Sequence, residues 1–97
     1  MYALNIKFHP TFSKNGNVTM SKTVLGAINA LVSTRKVFSA SDIAYVINFN
    51  LASDDQVSEV QVERIIASIA ADYAKGYRYN ALRGILTAQG MGFYEYR

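Results

Sequence analysis

The side chains that could catalyse a reaction or bind a metal are few and widely spaced. The chain has one histidine, His9, and no cysteine. A nucleophilic triad or a zinc site needs several partners at defined spacing, and no G-x-S-x-G motif or second histidine accompanies His9. We therefore interpret His9 as a residue at the end of a strand, and we expect neither a metal nor a cofactor.

The carboxylates that lie closest together in the sequence are Asp54, Asp55, Glu59 and Glu63. Paired carboxylates can transfer protons or bind Ca²⁺. Here they fall in a predicted loop and a helix first turn, where acidic side chains stabilise the helix dipole. The Gly-Met-Gly run at 90–92 is not followed by G-K-[ST], so it indicates a turn and not a phosphate loop. These features predict a protein that is not an enzyme.

A predicted helix over residues 58–76 carries the residues that could contact a nucleic acid. Ser58 can cap its start with Gln61 closing a capping box, and Gly76 suits the left-handed position after its end. Its buried face is predicted from the apolar residues at helical spacing. These are Val62, Ile65, Ile66, Ile69 and Tyr73.

The opposite face of this helix carries two kinds of residue. At about 100° per residue, Arg64, Ser68 and Lys75 point outward, with Gln61 nearer the core. In a complex with DNA, Arg64, Ser68 and Gln61 would contact bases, and Lys75 would contact a phosphate. Glu59, Glu63 and Asp72 would repel phosphates. The other outward residues are small and apolar, which favours close packing against a protein. They are Val60, Ala67 and Ala71.

The N-terminal residues alternate between apolar and polar side chains over positions 2–8. This period predicts a half-buried strand. Asn15-Gly16 is a strong hairpin signal, and a short return strand would follow over residues 18–20. We therefore predict an N-terminal β-hairpin over residues 1–20. The apolar face of its first strand holds Tyr2, Leu4, Ile6 and Phe8.

Two further helices are predicted between the hairpin and residue 50. Ser21 can cap the first, and Arg35 and Lys36 would lie in its last turn. A very short strand follows at residues 37–38, and the sequence SASD at 39–42 predicts a capping box that opens the second helix. The second helix would end near residue 50. The inward residues are Val24, Leu25, Ile28, Leu31 and Val32 in the first helix, and Ile43, Val46 and Ile47 in the second.

The tail over residues 77–97 is predicted to form a second β-hairpin. Its arms would be residues 82–87 and 91–96, joined by the glycines of AQGMG. Arginines alternate with aromatic residues here, which is typical of a stacking platform for nucleic acid and equally of a protein interface. Strand alternation puts Tyr94 and Tyr96 on one face and leaves open which face is exposed.

The composition bounds the class of protein. Ninety-seven residues suffice for one domain, and 51% hydrophobic with 18% charged residues excludes a disordered chain. No signal peptide or membrane span is evident, and with no cysteine we expect an intracellular, cytoplasmic protein. The formal net charge of +3 permits nucleic-acid binding without requiring it.

From the first helix onward, the chain resembles the winged helix-turn-helix superfamily. The residues that carry the resemblance are Phe38 with SASDIAYVI, then SEVQVERIIASIAADYAKG, then the hairpin with Gly90 and Gly92. The resemblance implies an α+β domain in which three helices, over residues 21–76, pack on a C-terminal hairpin whose turn is the wing. The link over residues 51–57 departs from the pattern of the superfamily, because it is longer than the turn of about 3–4 residues in a tight helix-turn-helix.

We expect a small non-catalytic regulator that binds duplex DNA. The alternative is a protein-interaction module, either a homodimer or a small inhibitor or adaptor. Compact single-domain chains of this kind are common in viruses and mobile elements, whose products would act in the host cytoplasm. The DNA contacts would come from Gln61, Arg64, Ser68, Lys75, Arg78 and Arg83, and the protein contacts from Val60, Ala67, Ala71, Tyr94 and Tyr96.

Overall fold

The computed structural model describes residues 20–49 and 51–97. His9 and nearly all of the predicted N-terminal hairpin lie outside the described residues. Of the predicted return strand, Met20 alone is described, and it is the first residue of a helix. The predicted strand assignment is therefore wrong at Met20.

The described residues form a small α+β domain of three helices and a three-stranded antiparallel sheet. Within these residues no helix is long and apolar enough to cross a membrane. In chain order the elements are α1 (Met20–Leu31), β1 (Val37–Ser39), α2 (Ala40–Asn48), a 3-10 turn (Ser53–Asp55), α3 (Glu59–Ala74), β2 (Leu86–Gly90) and β3 (Phe93–Tyr96).

The sheet has the strand order β1-β3-β2, so the last strand of the chain lies in its centre. Phe38 of β1 pairs with Tyr94 of β3, and Leu86 of β2 pairs with Tyr96. This pairing joins the short strand between the first two helices to the C-terminal hairpin. The very short strand predicted at residues 37–38 is confirmed.

The C-terminal hairpin begins later in the chain than predicted. The Leu82 N–H donates to the Tyr79 carbonyl at 3.1 Å. The turn that this bond closes occupies the start of the predicted first arm. β2 therefore starts at Leu86 and continues to Gly90, with an irregular register between Ala88 and Gly90. The chain reverses at Met91, which has a φ of 56°, and Gly92.

The helices pack on one another and on the inner face of the sheet. The predicted inward residues of α2 are all buried, and those of α1 are buried except Leu25 and Val32, which are partly buried. The burial of these stripes is the main favourable contribution to folding. The largest fully buried side chains include Phe38, Ile28, Leu31, Ile43, Ile47, Ile66 and Leu86.

The end of α1 differs from the prediction. The helix ends at Leu31, so Arg35 and Lys36 lie beyond its last turn. The hydroxyl of Ser33 donates to the Ala30 carbonyl at 2.7 Å. This bond satisfies a carbonyl of the last turn, where the side chains of Arg35 and Lys36 were expected to lie. The start differs too, because the helix begins at Met20 and includes the predicted cap Ser21.

The start of α2 is a capping box, as predicted. The Asp42 N–H donates to the Ser39 hydroxyl at 3.3 Å, and the Ser39 N–H donates to the Asp42 carboxylate at 2.9 Å. The guanidinium of Arg35 lies 3.4 Å from the same carboxylate. Asp42 therefore closes the box and joins α2 to the segment that follows α1.

Candidate nucleic-acid interface

The third helix starts with the predicted capping box. The Gln61 N–H donates to the Ser58 hydroxyl at 3.1 Å, and the Ser58 N–H donates to the side-chain oxygen of Gln61 at 3.0 Å. A bidentate contact to adenine needs both the oxygen and the nitrogen of the carboxamide. While the box is intact, Gln61 can therefore offer a nucleic acid only its amide nitrogen.

The connection before α3 is held by Asn48, a residue that the sequence did not single out. The Val57 N–H donates to Oδ1 of Asn48 at 2.8 Å, and Nδ2 of Asn48 donates to the Val57 carbonyl at 2.9 Å. Both main-chain groups of Val57, a buried residue, thereby find partners. This pair of bonds fixes the start of α3 against the end of α2, although the connection is longer than a tight turn.

The end of α3 is the predicted left-handed glycine cap. Gly76 has a φ of 98°, and its N–H donates to the Tyr73 carbonyl at 3.1 Å. The Tyr77 N–H donates to the Asp72 carbonyl at 2.9 Å. These two bonds form a Schellman motif, which satisfies terminal carbonyls and turns the chain away from the helix axis.

Arg78 supports this helix end and does not lie on the hairpin, where it was predicted. One guanidinium nitrogen donates to the Tyr73 carbonyl at 3.0 Å and to the Tyr77 carbonyl at 2.7 Å. The guanidinium carbon lies 4.9 Å from the centroid of the Tyr73 ring. The side chain is thus held by its own domain, although its charge remains at the C-terminal end of α3.

Asp72, the acid nearest that end, is also engaged within the domain. Its carboxylate accepts a hydrogen bond from the hydroxyl of Tyr79. This hydrogen bond, with burial and the Asp72 charge, raises the pKa of Tyr79 above its ordinary value. The Tyr79 ring also stacks on Tyr73, with ring centroids 5.9 Å apart.

The outward face of α3 is exposed as predicted, and it divides into two sides. At about 100° per residue, Arg64, Ser68 and Lys75 lie toward the same side of the helix as Gln61. Ala67, Ala70, Ala71 and Ala74 face the hairpin instead, because they line a groove between α3 and β2. We call the first side the polar shoulder, defined by Gln61, Arg64, Ser68 and Lys75, all of which are exposed.

The groove between α3 and β2 is apolar and measures about 460 Å³. This volume lies within the range of about 300–1,000 Å³ that is usual for ligand pockets. Burial, and secondarily the charge of Glu63, raises the pKa of Tyr94. At about 100° per residue, Glu63 shares the hairpin side of α3 with Ala67 and Ala70. The lining residues are Ala67, Ala70, Ala71, Tyr73 and Ala74 of α3, Ile85, Leu86, Thr87 and Ala88, and Tyr94 of β3.

The two tyrosines of the alternative interface do not form an exposed face. Tyr94 is 6% exposed and belongs to the core, and its pair Phe38 is fully buried. Tyr96 is half-buried, and its hydroxyl accepts a hydrogen bond from the Gly84 N–H. The sheet turns this face toward the helices, so Tyr94 is buried and Tyr96 half-buried in the domain, and their contact with a protein partner stays a prediction. Phe93, on the opposite face, is 46% exposed.

Charge on the described surface is nearly balanced. Of the ten Lys and Arg residues, Lys7 and Lys14 lie outside the described residues, which leaves eight against all seven acidic residues. Arg97 also pairs with Glu95 at 3.0 Å. Residues 84–94 contain no Lys or Arg, and Arg83 is exposed just before this segment. Positive charge near α3 is therefore concentrated at the polar shoulder and at the C-terminal end of the helix.

Within residues 20–49 and 51–97, no group of three His, Cys, Asp or Glu residues lies close enough together to hold a metal ion. Comparisons of the chain with protein-family models, with curated proteins and with solved structures find no match.

Proposed function

We propose that this protein is a non-catalytic, winged-helix-type domain that binds duplex nucleic acid through α3. Two supporting helices, an exposed third helix and a following hairpin occur in the order that the resemblance implies. The groove between α3 and β2 supports the proposal, because it sets the hairpin directly beside α3, where a wing would lie. This arrangement gives α3 an accessible outer surface along its whole length.

The polar shoulder is the observation that carries the proposal. From Arg64 to Lys75 it extends about 16 Å, at a rise of about 1.5 Å per residue. That length matches about five base pairs of duplex. Of the three acids of α3, Glu63 lies on the hairpin side and the Asp72 carboxylate is held by the Tyr79 hydroxyl, whereas Glu59 is exposed in the first turn and would repel phosphates.

Each shoulder residue has a role that fits its side chain. The guanidinium of Arg64 can donate two hydrogen bonds to one guanine, and the hydroxyl of Ser68 can contact a base edge beside it. Lys75 and Arg78, at the C-terminal end of the helix, and Arg83, which is exposed in the segment before β2, would contact phosphates. The amide nitrogen of Gln61 remains as a donor to a phosphate or base at the other end.

Salt-dependent binding to mixed-sequence duplex DNA, measured by fluorescence anisotropy, tests the proposal. Between two and four phosphate contacts give a slope of log affinity against log salt of about −1.8 to −3.6. Arg64→Ala should weaken binding by about 1–3 kcal/mol or reduce the magnitude of that slope by about 1. Lys22→Ala, which removes one exposed charge from α1, is the matched control and should change neither quantity.

Two results would contradict the proposal. The first is a wild-type protein that shows no duplex affinity at low salt. The second is binding that falls equally in the Arg64→Ala and Lys22→Ala proteins, because the interaction would then depend on net charge and not on the polar shoulder.

A second candidate function is homodimerisation through the apolar residues around the α3–hairpin face. Val60 is 57% exposed and Met91 is 98% exposed. The charges of the described residues nearly balance, so they give little electrostatic repulsion between copies. Ala67→Glu should then convert a dimer to a monomer in light scattering, while Ala52→Glu, in the exposed connection, should not. A wild-type monomer would exclude this candidate.

A further inference from the structure

The turn after α3 presents an exposed aromatic ring on a fixed backbone. Tyr77, at 66%, is the most exposed aromatic residue among residues 20–49 and 51–97. Its N–H donates to the Asp72 carbonyl at 2.9 Å, and its carbonyl accepts a hydrogen bond of 2.7 Å from the Arg78 guanidinium. Because both main-chain groups are bound, the ring retains only the rotations about its two side-chain bonds. A large exposed ring held in this way can contact a ligand with little loss of conformational entropy.

Two cations flank this ring. Lys75 lies two residues before Tyr77 and Arg78 directly follows it, and both side chains are exposed. One terminal nitrogen of Arg78 donates both hydrogen bonds, to the Tyr73 and Tyr77 carbonyls. A guanidinium has five N–H donors, so Nε and the other terminal nitrogen keep their donors for a ligand. The charge of Arg78 is therefore fixed beside the ring and is still able to bind a phosphate.

An aromatic ring beside cations is the arrangement that binds single-stranded nucleic acid. The ring stacks on the face of a base, and the cations bind the phosphates of the strand. The acid near this end of α3, Asp72, is half-buried and accepts a hydrogen bond from Tyr79. The segment over residues 73–83 contains two arginines and a lysine and no acidic residue. The charge that this segment offers to a ligand is therefore positive.

Tyr77 lies at the end of the polar shoulder. Two Cα–Cα steps of about 3.8 Å separate it from Lys75, so the two Cα atoms are at most about 7.6 Å apart. This distance is about two nucleotide steps of roughly 3.4 Å along one strand. The bases inside a duplex are stacked on one another and offer no free face to a ring. A nucleic acid held by the polar shoulder can therefore stack on Tyr77 only where base pairing has ended.

We propose that Tyr77 stacks on the first unpaired base of a duplex that continues into a single strand, with Lys75 and Arg78 on the neighbouring phosphates. The ligand is then a junction between double-stranded and single-stranded DNA. This inference rests on the proposed function, because the polar shoulder holds the double-stranded part.

Fluorescence anisotropy with three DNAs tests the proposal. They are a blunt mixed-sequence duplex, and the same duplex with a short poly(dA) extension at its 3′ ends or at its 5′ ends. The wild-type protein should bind at least one of the extended duplexes about 5- to 140-fold more tightly than the blunt duplex, which is the factor that stacking on one base supplies.

Three variants assign this preference to the ring. Tyr77→Ala should remove the preference and leave the affinity for the blunt duplex unchanged. Tyr77→Phe should keep the preference, since the ring and not the hydroxyl stacks on the base. Tyr45→Ala, which removes another exposed ring from α2, is the matched control and should change neither affinity.

An abasic nucleotide at the first unpaired position locates the stacked base. In the wild-type protein this change should abolish the preference for the extended duplex. In the Tyr77→Ala protein it should have no effect, because the ring and the base contribute only as a pair.

The outcomes separate this inference from the proposed function. A wild-type protein without affinity for the blunt duplex at low salt would refute the proposed function, and this inference with it. Equal affinity for blunt and extended duplexes, or a preference that survives in Tyr77→Ala or with the abasic nucleotide, would overturn this inference alone. Binding to poly(dA) alone that is as tight as binding to the extended duplex would also overturn it, because the polar shoulder would then contribute nothing.

Discussion

Replacing Asn48 by alanine should destabilise the domain through the connection that positions α3. The side chain makes hydrogen bonds of 2.8 and 2.9 Å to the N–H and C=O of Val57, which is 9% exposed. Each group left unsatisfied in a buried position costs about 1–3 kcal/mol. Because the space left by the shortened side chain admits some water to a half-buried site, we expect a combined loss of about 2–4 kcal/mol.

Urea denaturation followed by helical circular dichroism measures this loss. The midpoint should fall and the dependence on urea should stay unchanged, since the surface exposed on unfolding is the same. Asn29→Ala, an equal truncation at an exposed site of α1, should change the free energy of unfolding by no more than about 0.5 kcal/mol. If Asn48→Ala behaves like Asn29→Ala, the two hydrogen bonds do not hold the connection and the reasoning is wrong.

Two further predictions concern the residues that follow α3. A Cβ at Gly84 would lie 2.2 Å from the Arg97 carbonyl oxygen, whereas one at Gly76 would meet nothing within 4 Å. Gly84→Ala should therefore lower the free energy of unfolding more than Gly76→Ala, which costs only the strain of the left-handed backbone, about 1–2 kcal/mol. Equal losses of unfolding free energy in urea denaturation would contradict this. The pKa of Tyr79 is raised above 10.0 in the folded protein, so its contribution to stability is complete below that pH and is lost as pH rises through the folded pKa. Tyr79→Phe should therefore make the unfolding free energy fall less steeply above about pH 10. An unchanged fall would refute the conclusion that Asp72 raises the pKa of Tyr79.

Features encoded within a few residues of sequence were predictable. The two capping boxes, Ser39 with Asp42 and Ser58 with Gln61, each join residues three apart, and the glycine cap at Gly76 depends on one φ angle. The apolar stripes of the helices followed from the helical period. The outward face of α3, including Arg64, followed for the same reason, because burying one stripe exposes the opposite one.

Contacts between distant residues were decided only by the tertiary structure. The side chains of a strand alternate between two faces, and the sequence period does not tell which face is buried. The pairing of Tyr94 with Phe38, which is far away in the sequence, buries the face that carries Tyr94. Arg78 has the charge expected of a phosphate contact, yet the bend after Gly76 brings it back onto Tyr73. Asn48 carries no local signal at all, because its partner Val57 is nine residues away across an irregular connection. Sequence period and capping thus determine which residues form each element, whereas the packing of the elements decides which faces are left for a ligand.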